Sequence, residues 1–171
     1  MASIEHLHDH PHDSDRGLYL LDCEAFADIL PAVAQLPGKN FVVLLIADFS
    51  AGTRDDVVVL SRGLIAAGAR YFCAWGQDCQ TAHLAFDLAC CDFETDNESV
   101  ILTTDHSKES LEDAIWFAMV CAYPADPYDR EWHATLAICV NDRASSQTVR
   151  TAFADPVNFS AQNGPAIDEA T

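Results

Sequence analysis

Cys79, His83 and Asp87 follow one another at intervals of four residues, which on a helix places them in one stripe. Asp78 is a good N-cap residue, so Cys79 is expected in the first helical turn, where the helix dipole and free N–H groups stabilise a thiolate. With His83 as its base, Cys79 would be a thiol nucleophile. The alternative is a small buried cysteine, with His83 bonded to Asp87 on the helix face.

Other reactive side chains follow the predicted strands. Asp48 ends one apolar run, Asp105 and His106 end another, and Asn141 and Asp142 follow the last. In open parallel sheets the ligand crevice lies beyond the carboxyl ends of the strands, so these residues are expected on one rim with Cys79 and His83. A zinc site there would take Asp105 or His106 as a further ligand. The alternative is the ordinary polarity of strand-to-helix turns.

No cofactor is predicted from the sequence. The loop after Asp48 precedes a helix, but it contains neither a G-x-G-x-x-G nor a Walker fingerprint. Four histidines, His6, His8, His10 and His12, lie within the first fifteen residues, which lack apolar periodicity. We therefore expect residues 1–15 to be a flexible polar tail that could bind a divalent metal loosely.

The elements that must position these residues alternate between strand and helix. FVVLLIAD, which begins at Phe41, is almost wholly apolar and predicts a strand covered on both faces. Beyond it the pattern predicts helix 54–67, strand 70–75, helix 79–91, strand 99–104, helix 111–122 and strand 133–140, and residues 18–21 could add an edge strand. Such alternation is typical of a single three-layer α/β domain with a central, mainly parallel sheet and helices on both faces, Rossmann-like or flavodoxin-like. We assign this domain to residues 16–141 and expect 142–171 to be a partly disordered extension.

The turn Ala74-Trp75-Gly76-x-Asp78-Cys79 enters a helix, and Trp116-Phe117-Ala118 lies in the following helix. This combination resembles an uncharacterised family of small acidic bacterial α/β proteins, over about residues 41–140. The resemblance implies the fold and no established activity.

Charge restricts the expected partners. The chain has 27 acidic and 9 basic side chains, a net charge of −18, and residues 16–141 alone carry −12. Such a surface repels phosphate backbones and anionic lipids, so nucleic acid and membranes are not expected as partners, whereas a basic protein is compatible. No apolar stretch is long enough to cross a bilayer. The seven cysteines lie mostly in apolar runs and indicate free thiols in a reducing, cytoplasmic compartment.

Two functions remain open at this point. The first is a non-enzymatic protein-binding or regulatory module of the immunity or accessory kind, for which a homo-oligomer is also compatible. The second is a small hydrolytic or thiol-dependent enzyme with Cys79, His83, Asp48, Asp105 and His106 around one crevice. Convergence of these five side chains below a concave pocket would favour the enzyme, and a filled rim would favour the binding module.

Overall fold

The computed structural model describes residues 2–50, 54–93, 100–129 and 131–164. Its strands are β1 (Ile4–His10), β2 (Asp13–Cys23), β3 (Asn40–Ile46), β4 (Ala69–Trp75), β5 (Leu102–Asp105) and β6 (Trp132–Val140). They form a six-stranded sheet in the order β1-β2-β6-β3-β4-β5. All neighbours from β2 to β5 are parallel, and β1 pairs antiparallel with β2. The prediction that β3, β4, β5 and β6 are parallel neighbours in one sheet is therefore confirmed.

The helices are α1 (Ile29–Val33), α2 (Arg54–Ala67), α3 (Cys79–Cys90), α4 (Leu111–Val120), α5 (Asp126–Asp129), α6 (Arg143–Ala154) and α7 (Pro156–Asn163). One face of the sheet packs against α1, α2 and α3, and the other packs against α4 and α6, with α7 alongside. The predicted three-layer α/β class is confirmed. The bounds of α2 are those expected from the sequence.

Strand β3 is at the centre of the domain. All seven of its residues are buried, because it has a strand on either side and a helix layer on each face. This is the environment that its apolar run from Phe41 to Ile46 predicts. From Val42 to Ile46 the register of β3 with both of its neighbours is uninterrupted, and Ile46 lies opposite both Cys139 and Trp75.

A topological switch point lies at the carboxyl ends of β2, β6 and β3. The chain leaves β2 and β3 toward α1 and α2 on one face, but it leaves β6 toward α6 on the opposite face. Because the connections diverge, the carboxyl ends of these strands border an open crevice, which is where ligands bind in open α/β sheets.

The prediction of a flexible tail over residues 1–15 is wrong for most of that segment. Residues Ile4–His10 form edge strand β1, and β2 already begins at Asp13. Ile4 and Leu7 pack against the two cores, while His10 is buried. An edge strand is held mainly by backbone hydrogen bonds and can keep polar side chains in water, so its sequence resembles that of a tail.

The predicted C-terminal extension is also wrong up to Asn163, because α6 and α7 belong to the domain. Val149, Ala152 and Phe153 have no exposed surface and lie in the same core as α4. The carboxylates of Asp142 and Asp155 cap α6 and α7 by accepting from the amides of Ser145 and Asn158. Residues 165–171, the end of the predicted extension, lie outside the described residues.

Candidate functional site

The five predicted site residues lie in two separate places at the carboxyl ends of the strands. Cys79, His83, Asp105 and His106 surround the ends of β4 and β5 beside α3. Asp48 follows β3 and lines the crevice at the topological switch point. The single shared crevice expected from the sequence is therefore divided, and each part has its own chemistry.

Cys79 begins α3, as predicted, but it has no exposed surface. Burial raises the pKa of its thiol, and the nearby Asp105 carboxylate raises it further, although the backbone N–H of His106 opposes them. Asp78 occupies the N-cap position in a left-handed conformation (φ 56°), and its side chain makes no cap hydrogen bond. Of the two alternatives offered by the sequence, this burial favours the small buried cysteine over an activated thiolate.

The turn before Cys79 owes its sequence to packing. Gly76 has φ 119°, and a Cβ at this position would lie 2.1 Å from the carbonyl oxygen of Ala47 at the end of β3. Only glycine allows β4 to turn this close to its neighbour. The Trp75 indole donates to the Glu109 carbonyl (3.1 Å), which fixes the other side of the turn. Close packing therefore accounts for Trp75 and Gly76 of the Trp-Gly-x-Asp-Cys motif.

His83 joins α3 to edge strand β5. Its Nε2 lies 2.9 Å from the hydroxyl oxygen of Thr103, and its Nδ1 lies 3.6 Å from a carboxylate oxygen of Asp105. Asp87, one turn further along α3, accepts a hydrogen bond from the Thr103 hydroxyl. Asp105 is itself held by Ser107, whose hydroxyl donates to it at 2.6 Å and lowers the pKa of its carboxyl.

The direction of these hydrogen bonds decides what His83 can do. A carboxylate only accepts hydrogen bonds, so the Thr103 hydroxyl uses its one hydrogen to donate to Asp87. It can therefore only accept a hydrogen bond from His83. In a nucleophilic triad the hydroxyl donates to the histidine instead. His83 is therefore a donor that ties α3 to β5, and it does not activate Thr103 as a nucleophile.

His106 is fully engaged in the interior. It is 3% exposed, its Nδ1 lies 2.7 Å from a Glu109 carboxylate oxygen and its Nε2 lies 3.2 Å from the Thr104 hydroxyl. Its ring also packs against Phe117 at 4.8 Å. With both nitrogens committed, His106 does not complete a zinc site with Cys79.

The described part of the chain holds no cluster of three or more His, Cys, Asp or Glu side chains arranged to bind a metal ion. The N-terminal histidines, which the sequence offers as loose metal ligands, have different partners. His6 pairs with Asp9 (3.4 Å), His8 bonds to the Asp9 carbonyl (2.8 Å), and His10 bonds to the Met119 carbonyl. His12 is linked to the ring of His10 through its backbone amide.

The crevice at the switch point is a cleft of about 450 Å³. We call it the switch cleft. Three carboxylates line it, from Glu24 after β2, Asp48 after β3 and Asp142 after β6. Its other lining residues are Ala25, Phe26, Ala47 and Val140, which are apolar, and the polar Asn141.

Two carboxylates of the switch cleft are held in the charged form. The hydroxyl and amide of Ser50 donate to Asp48 and lower the pKa of its carboxyl. Ser145 does the same to Asp142 through its hydroxyl (2.6 Å) and its amide (3.0 Å). Both are anions at neutral pH, which suits the binding of a cation. A general acid at neutral pH needs the opposite shift.

Sequence reasoning missed part of each site. Glu24 and Phe26 were overlooked because β2 was not expected to be a full parallel strand, although the apolar run before Asp22 was a usable signal. Thr103 was missed because a threonine within a strand has no distinguishing pattern.

Comparison with known proteins gives one similarity. The profile of a family described as a domain of unknown function (DUF7684) matches residues 20–156, from within β2 to the start of α7. No curated protein and no solved structure is significantly similar to the chain. Among the described residues, no helix is long and apolar enough to cross a membrane. Since the match covers most of the sequence, including the strands and helices around the switch cleft, the chain belongs to the DUF7684 family.

Proposed function

We propose that this protein is a non-enzymatic module that binds a cationic segment of a partner protein at the switch cleft. The observation that carries the proposal is the convergence of Glu24, Asp48 and Asp142 on one cleft with apolar walls. Lysine and arginine side chains fit such a cleft, because their stems pack on apolar surface while their charged ends reach carboxylates.

The chemistry of the other candidate residues supports binding over catalysis. Burial raises the pKa of the Cys79 thiol, which leaves it protonated at neutral pH. The Thr103 hydroxyl donates its hydrogen bond to Asp87, and both ring nitrogens of His106 have hydrogen-bond partners within the protein. The residues that an enzyme would use are thus engaged in holding the domain together.

The net charge of −18 supports a basic partner. A strongly acidic protein attracts a cationic one over several ångströms and accelerates their encounter, and the effect weakens as salt screens it. A module of the immunity or accessory kind, which covers a basic surface of another protein, fits this chemistry. The seven free cysteines support a reducing, cytoplasmic location.

Selection of binding peptides from a random display library tests the proposal and does not require the partner to be identified first. The immobilised full-length protein should enrich sequences with lysine and arginine, and their binding should weaken between 50 and 300 mM NaCl. Glu24→Lys should reduce this binding, since it reverses one carboxylate of the cleft. Glu112→Lys is the matched control, because Glu112 is exposed at the start of α4 and outside the cleft lining. Enrichment of acidic or neutral peptides, or equal effects of the two variants, would contradict the proposal.

A further inference from the structure

An apolar groove lies between α1 and α2, next to the switch cleft. It has a volume of about 400 Å³ and is lined by Phe26, Ala27, Leu30, Val59 and Leu60, with Asp56 as its polar member. Val59 is 63% exposed and presents its side chain at the surface of α2. We call this feature the α1–α2 groove.

The α1–α2 groove and the switch cleft share one wall, the side chain of Phe26. The Phe26 ring stacks on that of Phe49, with centroids 6.0 Å apart, and Phe49 is buried. Leu30 packs closely on α2, because a Cβ at Gly63 would lie only 2.5 Å from its Cδ1 atom. The groove is therefore a formed concavity with supported walls, directly beside three carboxylates.

We infer that the α1–α2 groove holds a bulky apolar side chain of the same cationic segment that binds the switch cleft. The partner segment would then be amphipathic, with leucine, methionine or phenylalanine close to lysine or arginine. This inference rests on the proposed function and adds the chemistry of its partner. Interfaces of this kind combine an apolar residue in a central pocket with a polar rim.

Charge complementarity selects this occupant over a second copy of the chain. A second copy also carries −18, so its approach would bring carboxylates toward Glu24, Asp48 and Asp142. A neutral apolar peptide would gain nothing from those carboxylates. A segment that is both cationic and apolar matches the two adjacent surfaces together.

The test uses a fluorescein-labelled synthetic peptide of 14 residues that contains only leucine and lysine and forms an amphipathic helix. Its affinity for the full-length protein is measured by fluorescence anisotropy in 150 mM NaCl. The variants are Val59→Glu in the groove and Val157→Glu on α7 as a matched control, since these valines are 63% and 66% exposed. Each variant adds one negative charge, which on electrostatic grounds alone would tighten binding. We expect Val59→Glu to weaken binding at least tenfold and Val157→Glu to leave it unchanged or slightly tighter.

A second peptide, with serine in place of every leucine, separates the groove from the switch cleft. It should bind more weakly to the wild type, Glu24→Lys should weaken this binding further, and Val59→Glu should leave it unchanged or slightly tighter. That result would support the groove. If both peptides bind equally and neither responds to Val59→Glu, the inference is overturned while the proposed function stands. If neither peptide responds to Glu24→Lys, the proposed function itself fails. Self-association that Val59→Glu abolishes in sedimentation experiments would overturn the inference by making a second copy the occupant.

Discussion

The ring of His10 in β1 donates from Nε2 to the carbonyl oxygen of Met119 in α4, at 2.7 Å. Its Nδ1 accepts from the backbone N–H of His12, at 3.2 Å. A carbonyl can only accept and an amide can only donate, so the neutral ring satisfies both partners. The ring is buried and lies edge-on to Trp132, with centroids 5.9 Å apart. The buried imidazole of His10 therefore links the N-terminal strand β1 to helix α4.

This arrangement makes stability depend on pH. Burial lowers the pKa of His10 below its usual ~6.5, and Arg16 and His12 add to this, while the Met119 hydrogen bond and Asp13 oppose it. The unfolded chain then binds a proton more readily than the native one. The stabilising contribution is complete above about pH 6.5 and is lost as the pH falls from there toward the lower native pKa.

The first prediction follows from the lowered pKa of His10. Urea unfolding at pH 7.5 and pH 5.5 should show a smaller loss of stability on acidification for His10→Gln than for the wild type. His8→Gln, at an exposed position of the same strand, should lose as much as the wild type. At pH 7.5 His10→Gln should be less stable than the wild type, because it loses the buried imidazole ring that packs against Trp132. An unchanged pH dependence in His10→Gln would contradict the assignment.

The central strands could be predicted because a strand that is buried on both faces has an almost continuous run of apolar residues. Strand β3 is apolar at every position from Phe41 to Ile46, and Gly68 and Gly76 occupy turns with positive φ. The edge strand β1 could not be predicted in this way. Four of its seven residues are exposed, and its pairing with β2 uses backbone hydrogen bonds, which carry no sequence signal.

The functional candidates illustrate a second limit. Sequence placed Cys79 at the first turn of α3, but only three-dimensional packing shows that its thiol is buried. The switch cleft depends on which strand lies beside which, and local patterns do not specify that β6 inserts between β2 and β3. Residues such as Glu24 and Asp142 therefore meet only in the folded chain.

The second prediction concerns the C-terminal boundary of the domain. Phe153→Ala should destabilise the protein by about 3–5 kcal/mol, as expected for the loss of a fully buried phenylalanine. Val157→Ala, at an exposed position on α7, should change stability by no more than ~0.5 kcal/mol. Chemical denaturation measures both. A small effect of Phe153→Ala would mean that α6 does not belong to the folding unit.

The third prediction concerns thiol reactivity. Iodoacetamide at neutral pH should modify exposed Cys91 first and exposed Cys121 more slowly, because partial burial raises the pKa of the Cys121 thiol. It should modify Cys79 only when the protein unfolds, since Cys79 is inaccessible and burial raises the pKa of its thiol. Mass spectrometry of the labelled peptides over time gives the order. Cys91→Ser should remove the fastest reaction without changing stability by more than ~0.5 kcal/mol. Preferential labelling of native Cys79 would restore the thiol-enzyme hypothesis.

The fourth prediction concerns the contact of α3 with β5. Asp87→Ala and Thr103→Val each remove one partner of the same hydrogen bond, so their effects on the free energy of unfolding should not add. A double-mutant cycle should give a coupling energy of about 1 kcal/mol, since one partner is charged but both are only partly buried. The exposed Arg62–Asp92 ion pair, at 2.8 Å, is the reference and should couple by a smaller amount, ~0.2–1 kcal/mol.

The same residues also distinguish the two functional hypotheses. Because the Thr103 hydroxyl donates its hydrogen bond to Asp87, His83 is not its acceptor and cannot act as its base. A fluorophosphonate probe of activated hydroxyl nucleophiles should therefore leave Thr103 unmodified. In Asp87→Ala the Thr103 hydroxyl is free to donate to His83 instead. Labelling of Thr103 in this variant and not in the wild type would confirm the direction of the native hydrogen bond. Labelling of Thr103 in the wild type, lost in His83→Gln, would instead show a working nucleophile and would overturn the binding-module proposal in favour of a hydrolase.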